Sequence, residues 1–169
     1  PDHAEKRHAL AAVIARHLAF DPAPEDSLRG LARAAAVSVP TLRHYFGDRE
    51  GVLRAAYAVL HEQGAPFLRG TADPGDVALE PALRGFLSML DQGLTRGVGQ
   101  VHAEGLRRGL GTGLGPTYLE ALFEPTLQAL EARLSVHQRR GELREGDLRV
   151  AALQLLSPVL LARLHQDHL

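Results

Sequence analysis

Cysteine and tryptophan are absent from this chain of 169 residues, methionine occurs once, and aromatic residues make up only 5% of it. Without cysteine, the chain has no disulfide bridge, no thiolate metal ligand and no cysteine nucleophile. Runs of β-branched residues are also nearly absent, whereas leucine, alanine, arginine and glutamate are used heavily. This composition favours helices over strands, and it therefore predicts an all-helical fold.

Long hydrophobic runs are missing as well. No apolar stretch approaches the roughly 20 residues that a membrane-spanning helix needs, and no signal-peptide pattern opens the sequence. We therefore expect a soluble, cytoplasmic protein that does not interact with a membrane. The net charge of −1 argues mildly against nucleic acid as a partner. The sequence begins at Pro1 rather than at a methionine, so it leaves open whether a basic leader precedes it.

Two short helical patterns with a tight turn between them lie between Ser27 and Phe46. Ser27 and Ser38 are candidate N-caps, and Pro40 falls in the first turn of the second helix, where its missing N–H costs nothing. Leu42 and Phe46 are then expected to point inward. This is the pattern of a helix-turn-helix, whose second helix enters the DNA major groove. A plain helical hairpin is the alternative interpretation.

The outward positions of this segment carry donors instead of the usual surface mixture of glutamate and lysine. Between residues 29 and 49 there are four arginines and one acidic residue, Asp48. We expect Arg43 and His44 to enter the major groove. Near the base edges we place Ser38, Val39 and Pro40, and on DNA phosphates we place Arg29, Thr41, Tyr45 and Arg49.

The same stretch resembles the DNA-binding signature of TetR-family transcriptional regulators, L-A-x-x-A-x-V-S-x-x-T-L-x-x-Y-F-x-x-[KR]-E-x-[LV]-L. Ala36 stands where the family often has glycine, which implies a turn without a positive φ at that residue. Arg43 stands where the family usually has tyrosine, so the base preference cannot be carried over, and Arg49 replaces a lysine. The matching positions are Leu31-Ala32, Ala35, Val37-Ser38, Thr41-Leu42, Tyr45-Phe46, Arg49-Glu50 and Val52-Leu53.

The rest of the chain reads as further helices. The resemblance implies a DNA-binding domain over residues 1–47 and a ligand-binding and dimerisation domain over residues 48–169. We predict helices over 4–20, from 48 to about 64–66, from Pro81 onward, over 116–140 with a kink at Pro125, and over 148–166. Residues 70–80 are predicted to be a loop. The glycine-rich residues 97–115 are predicted to form a poorly stable helix over 101–110 followed by a mobile loop.

The last helix has an apolar arc too wide for one buried face, so a second surface must meet a partner. This pattern favours a second copy of the chain as the partner. The segment R-G-E-L-R-x-x-D-L-x-x-A-A-x-x-L-L-S-P also resembles the closing helices of TetR-family regulators, which build a dimer interface. The alternative is a monomer in which this helix is central to its own core. The predicted dimer contacts are Leu130, Leu134, Leu153, Val159 and Leu160.

The resemblance implies a repressor that a small molecule releases from its operator, with the helix from Asp48 to Gln63 as the pivot. We expect no cofactor, and we expect a neutral, hydrophobic ligand in an apolar pocket between helices. For Phe86, Met89 and Phe123 the alternative is that each is an ordinary core residue. The candidate pocket residues are His61, Phe86, Met89, Leu90, His102, Leu106, Tyr118, Leu122 and Phe123.

Two other classes of function are weighed against this hypothesis. A metal-dependent enzyme would need His61, Glu62, His102 and Glu104 as ligands, but residues spaced like these do not share one helix face. The other class is a protein of the same fold that dimerises and no longer binds DNA, which the near-neutral charge permits. We therefore expect no enzymatic activity.

Overall fold

The computed structural model describes residues 2–21, 24–95, 101–102, 105 and 115–168. These residues form helices and contain no strand, which confirms the predicted all-helical fold. None of the described helices combines the length and the apolarity that crossing a lipid bilayer requires. The elements are α1 (His3–Phe20), α2 (Leu28–Ala34), α3 (Val39–Phe46), α4 (Arg49–Ala72), α5 (Leu79–Gly93), α6 (Gly115–Tyr118), a π-helical segment (Leu119–Phe123), α7 (Glu124–Arg139) and α8 (Leu148–His168).

The chain divides into two compact units. The first unit comprises Pro1–Gln63 and Glu104–Leu122, and the second comprises Gly64–Ala103 and Phe123–Leu169. This division differs from the boundary between residues 47 and 48 that the sequence predicts, because α4 contributes residues to both units. Whether DNA binding is confined to residues 1–47 stays a prediction.

The core of the first unit is formed by apolar residues at helical spacing on α1, α2, α3 and the first part of α4. The inner face of α1 carries Leu10, Ile14 and Leu18, which are buried, whereas Val13 is 38% exposed. His17 is half-buried, and its ring contacts the carbonyl oxygen of Glu25 and the carboxylate of Asp21. The largest buried side chains of these helices are Ile14, Leu31, Leu42, Val52 and Leu53.

The core of the second unit is built from α5, α7 and α8, and it corrects part of the predicted dimer interface. Leu130, Leu134 and Leu160 are 0%, 1% and 5% exposed, because they pack on Phe86, Leu90 and Leu156 of their own chain. Such side chains have no surface left for a second chain, so the prediction is wrong for these three leucines. Leu153 and Val159 are only partly buried at the edge of this core.

Helix α4 continues beyond its predicted end at Gly64–Pro66 and reaches Ala72 with Pro66 inside it. Proline removes one backbone hydrogen bond, and glycine lowers helix propensity, so the sequence favours a break at this point. Packing overrides this preference, because Phe67 stacks on Phe86 with ring centroids 6.1 Å apart and Thr71 is buried. The predicted loop is correspondingly shorter, since α5 begins at Leu79.

The predicted interruption at Pro125 takes the form of a π-helical segment. This segment, Leu119–Phe123, lies directly before α7, and Pro125 occupies the first turn of α7. A proline at that place needs no hydrogen-bonded N–H. Of the predicted glycine-rich element, residues 97–100, 103–104 and 106–114 lie outside the described residues.

A buried arginine of α7 holds the end of α4. The Arg133 guanidinium is 8% exposed and donates to the carbonyl oxygens of Thr71 (2.5 Å), Gly70 (2.7 Å) and Ala82 (2.8 Å). The last carbonyls of a helix have no partner within the helix, so a cation with several donors suits this position. Burial lowers the pKa of Arg133 and nearby Asp73 acts in the opposite direction. The group stays protonated, because arginine starts from a very high pKa.

We expect Arg133→Met to lower the free energy of unfolding by about 3 kcal/mol, because it removes three hydrogen bonds to backbone carbonyls and leaves those of Gly70 and Thr71, at the end of α4, without this donor. Urea unfolding of the pure protein measures this loss. The control is Arg139→Met, which removes an exposed arginine of the same helix that bonds only to Ser135 in the described structure and should change stability by no more than about 0.5 kcal/mol. Equal stability of Arg133→Met and the wild type would contradict the assignment.

Candidate DNA-binding surface

The two short helices of the first unit are capped as the sequence predicts. The Ser27 hydroxyl accepts a hydrogen bond from the Gly30 N–H at 3.0 Å, and the Ser38 hydroxyl accepts one from the Thr41 N–H at 3.1 Å. Pro40 lies in the first turn of α3. Helices this short are unstable in isolation, so their capping and the buried Leu31 and Leu42 determine where they begin and how they pack.

The turn between α2 and α3 differs from the prediction. Ala36 has a φ of +53°, and it is the only non-glycine residue with positive φ in the described part of the chain. The Ala36 N–H donates to the carbonyl of Arg33 and the Val37 N–H donates to the carbonyl of Ala32, both at 3.0 Å. This pair of bonds is the Schellman motif, which requires a left-handed residue at this place. The prediction of a turn without positive φ is therefore wrong, because the two bonds outweigh a cost of about 1–2 kcal/mol.

The candidate DNA contacts differ in exposure. Arg43 and His44 are exposed on α3, whereas Val39, Thr41 and Tyr45 are half-buried. The Thr41 hydroxyl lies 2.7 Å from that of Ser38. The surface available to a large ligand therefore centres on the middle of α3. The exposed candidates are Arg29, Ser38, Pro40, Arg43 and His44.

Arg49 is engaged within the chain instead of pointing freely to solvent. Its Nε donates to the Asp26 carbonyl oxygen at 2.7 Å, and its guanidinium forms an ion pair with the Asp26 carboxylate. These contacts join the first turn of α4 to the segment before α2. The guanidinium of Arg49 is thus engaged within the chain, and its predicted phosphate contact stays a prediction.

Three rings meet where α1 approaches α3. His3 lies with its ring centroid 4.7 Å from that of Tyr45 and 5.5 Å from that of His44, and the rings of His44 and Tyr45 are 5.1 Å apart. Arg7 of α1 donates to the Tyr45 carbonyl oxygen at 3.2 Å and lies over the ring of Phe46. No sequence spacing links His3 to residues so far along the chain, so the sequence gives no sign that His3 belongs to this surface.

The candidate ligand residues fall in both units. His61, Tyr118 and Leu122 belong to the first unit, whereas Phe86, Met89, Leu90, His102 and Phe123 belong to the second. Leu106 lies outside the described residues. Met89 is 55% exposed, so its predicted inward position is wrong; it lies off the face of α5 that carries buried Phe86 and Leu90.

Two polar candidates are uncharged at neutral pH. Burial lowers the pKa of His102 to about 4, although part of this residue remains accessible to solvent. Burial, and after it nearby Tyr57, raise the pKa of Tyr118 well above its usual value.

One of the glycines has a packing role that the sequence did not suggest. A Cβ atom on Gly105 would lie 2.3 Å from the Tyr118 ring, so only glycine allows the backbone to approach this ring. The predicted purpose of the glycines, a loosely packed segment, therefore does not hold for Gly105. No group of three or more histidine, aspartate or glutamate side chains within the described ranges is close enough to hold a metal ion.

Comparison of the sequence with protein-family models and with curated proteins gives no match. Solved structures do match. A putative TetR-family transcriptional regulator from Mesorhizobium loti MAFF303099 has a TM-score of 0.72 at 18% identity, covering 98% of this chain and 86% of its own. GusR of Salmonella enterica has a TM-score of 0.71 at 20% identity, covering 94% of this chain and 82% of its own.

A third match is the fatty acid degradation regulator FadR of Bacillus halodurans. Its TM-score is 0.66 at 20% identity, and the alignment covers 97% of this chain and 86% of that protein. The chain is thus an all-helical protein with a helix-turn-helix near its N-terminus. More specifically, it has the fold of the TetR-family transcriptional regulators, over nearly all of its length.

Proposed function

We propose that this chain is a transcriptional regulator that binds an inverted-repeat operator in double-stranded DNA through α2 and α3. The observation that carries the proposal is the exposed pair Arg43 and His44 on a capped helix that follows a tight turn. In a helix-turn-helix, this second helix lies in the major groove. An arginine there can form two hydrogen bonds with guanine and so distinguish it from the other bases.

The phosphate contacts in this proposal come from Arg29, Thr41 and Tyr45, with Ser38, Val39 and Pro40 near the base edges. The net charge of −1 does not prevent this arrangement, because fields from distant charges are screened over about 10 Å. The same charge favours the second candidate function, a dimer of this fold that does not bind DNA. Direct measurement of binding distinguishes the two.

We expect fluorescence anisotropy with DNA from upstream of the chain's own gene to give salt-dependent binding. Arg43→Ala should weaken binding to the preferred site by about 1–3 kcal/mol and relax the preference at one base position, because a paired guanine loses both hydrogen bonds. The control is Arg84→Ala on α5, which removes an exposed arginine of the second unit. Unchanged affinity and preference in Arg43→Ala would refute the assignment, and no binding by the wild type would favour the second candidate.

The proposed regulator is a homodimer that forms through the outer face of α8. Ala152, Leu156 and Leu160 of α8 face the chain's own core, whereas Val150 and Leu161 on the opposite side are 46% and 68% exposed. Exposed apolar side chains on one side of a helix, with a core on the other, are typical of an interface between subunits. Leu153 and Val159, half-buried at the border, stay candidate contacts.

We expect light scattering at micromolar concentration to give the mass of two chains. Leu161→Asp should weaken this dimer by at least about a hundredfold, because two-fold symmetry places two unpaired carboxylates in one apolar interface. The control is Val77→Asp, which changes an apolar residue with 47% exposure outside the helices. A single-chain mass for the wild type, or equal dissociation of both variants, would contradict the dimer.

In this proposal the regulator is a repressor, and a small hydrophobic molecule releases it from the operator. His102 is neutral because burial holds its pKa at about 4, so it would bring no charge to a ligand site. Phe86 and Leu90 add apolar surface in the same unit. A ligand can release DNA only by binding more tightly to the conformation that does not fit the operator. His61, Tyr118 and Leu122 stay predicted pocket residues of the first unit.

We expect some members of a library of neutral hydrophobic compounds to raise the melting temperature of the protein. At a concentration of 100 times Kd, binding stabilises the folded state by about 2.7 kcal/mol. For each variant, the rise in melting temperature is measured against the same variant without compound. Phe86→Leu and His102→Asn should each show a smaller rise than the wild type. Met89→Leu, at an exposed position of the same helix as Phe86, should show the wild-type rise. If Phe86→Leu and His102→Asn also show the wild-type rise, the pocket lies elsewhere.

A further inference from the structure

The cluster of His3, His44 and Tyr45 is built from two elements that are far apart in the sequence. His3 begins α1, and the other two residues are neighbours on α3. The His3 ring lies 4.7 Å from the Tyr45 ring at an angle of 35°, and it meets the His44 ring edge-on at 5.5 Å. Both histidines are exposed, so their ring nitrogens can bind to a ligand outside the chain.

The donors of this cluster suit a phosphate. A protonated imidazole donates from both of its nitrogens, and a phenol also donates, whereas a phosphodiester offers only acceptors and a negative charge. Arg7 holds the base of the cluster through the Tyr45 carbonyl oxygen at 3.2 Å. Contact with Tyr45 limits the freedom of the His3 ring before any ligand binds, which lowers the entropy lost on binding.

We propose that His3, together with Tyr45 and beside the ring of His44, forms a subsite for a backbone phosphate of the operator, and that DNA is held more tightly there when the imidazole of His3 is protonated. This inference rests on the proposed DNA-binding function and adds a contact from α1 to it. It also names protons as a factor that regulates the affinity.

The charged groups around the cluster act in both directions. On α1 the neighbours are Asp2, Glu5, Lys6 and Arg7, and the Asp2 N–H donates to the Glu5 carboxylate at 3.2 Å. On α3 the neighbour is Arg43. A DNA phosphate beside an imidazole favours the protonated form of the ring, because opposite charges attract. By linkage, DNA binding then takes up protons, and a lower pH strengthens binding.

The test measures operator affinity by fluorescence anisotropy between pH 6 and pH 8 at constant ionic strength. Since imidazoles ordinarily change charge in this range, affinity should rise roughly fivefold or more on going from pH 8 to pH 6. The dependence on salt should also be steeper at pH 6, by about one in the slope of log K against log salt for each protonated contact. Calorimetry in two buffers with different ionisation enthalpies should show proton uptake on binding.

His3→Gln is the informative variant, because glutamine keeps a hydrogen-bond donor and cannot gain a charge. It should reduce both the pH dependence and the proton uptake. His8→Gln removes an exposed histidine of the same helix outside the cluster and should leave both as in the wild type. A melting temperature measured at each pH separates these effects from unfolding.

Three results would overturn the inference. Equal wild-type affinity at pH 6 and pH 8, with DNA still bound, would reject the subsite and leave the proposed function standing. A His3→Gln variant that weakens binding equally at both pH values would mean that the ring only packs on Tyr45. An absence of DNA binding at every pH would reject the subsite and the proposed function together.

Discussion

In the second unit, the attachment of α4 and α5 to α7 depends on the buried guanidinium of Arg133. A guanidinium inside a protein needs acceptors for its donors, and Arg133 finds them in three backbone carbonyls at the end of α4 and the start of α5. The two ends of this connection are thereby fixed to α7. Nearby groups complete the attachment: Glu142 accepts from the Leu79 N–H at 2.6 Å, and buried His137 contacts Glu142 at 3.1 Å.

The acid in this arrangement is held in its charged form. The Leu79 N–H and then the His137 ring lower the pKa of Glu142, with Arg140 adding a smaller effect in the same direction. The other ring nitrogen of His137, Nε2, is buried and has no hydrogen-bond partner among the described residues. The position of the segment between α4 and α5 is thus determined by side chains from α7 and from the turn after it. The sequence of the segment itself does not encode where those side chains lie.

This difference between local and distant causes explains what the sequence could predict. The caps at Ser27 and Ser38, the place of Pro40 and the inward direction of Leu42 depend on residues within a few positions of one another, and they were predicted correctly. Other contacts join residues between 23 and 63 positions apart, and no sequence pattern predicts them. These are the Arg49–Asp26 pair, the Arg133 contacts and the His3 cluster. The buried leucines of α7 were assigned to a partner because a periodic pattern shows that a face is apolar, without showing what covers it.

The strained turn between α2 and α3 has a consequence for mutation. Alanine and glycine codons differ by a single base, so one point mutation at Ala36 reaches the residue that adopts a left-handed backbone without strain. Glycine there would relieve the strain of about 1–2 kcal/mol, but it would also raise the conformational entropy of the unfolded chain, so the two effects on stability oppose each other. Variation at this one codon would therefore change the stability of the turn between α2 and α3 without altering any side chain on the surface of α3.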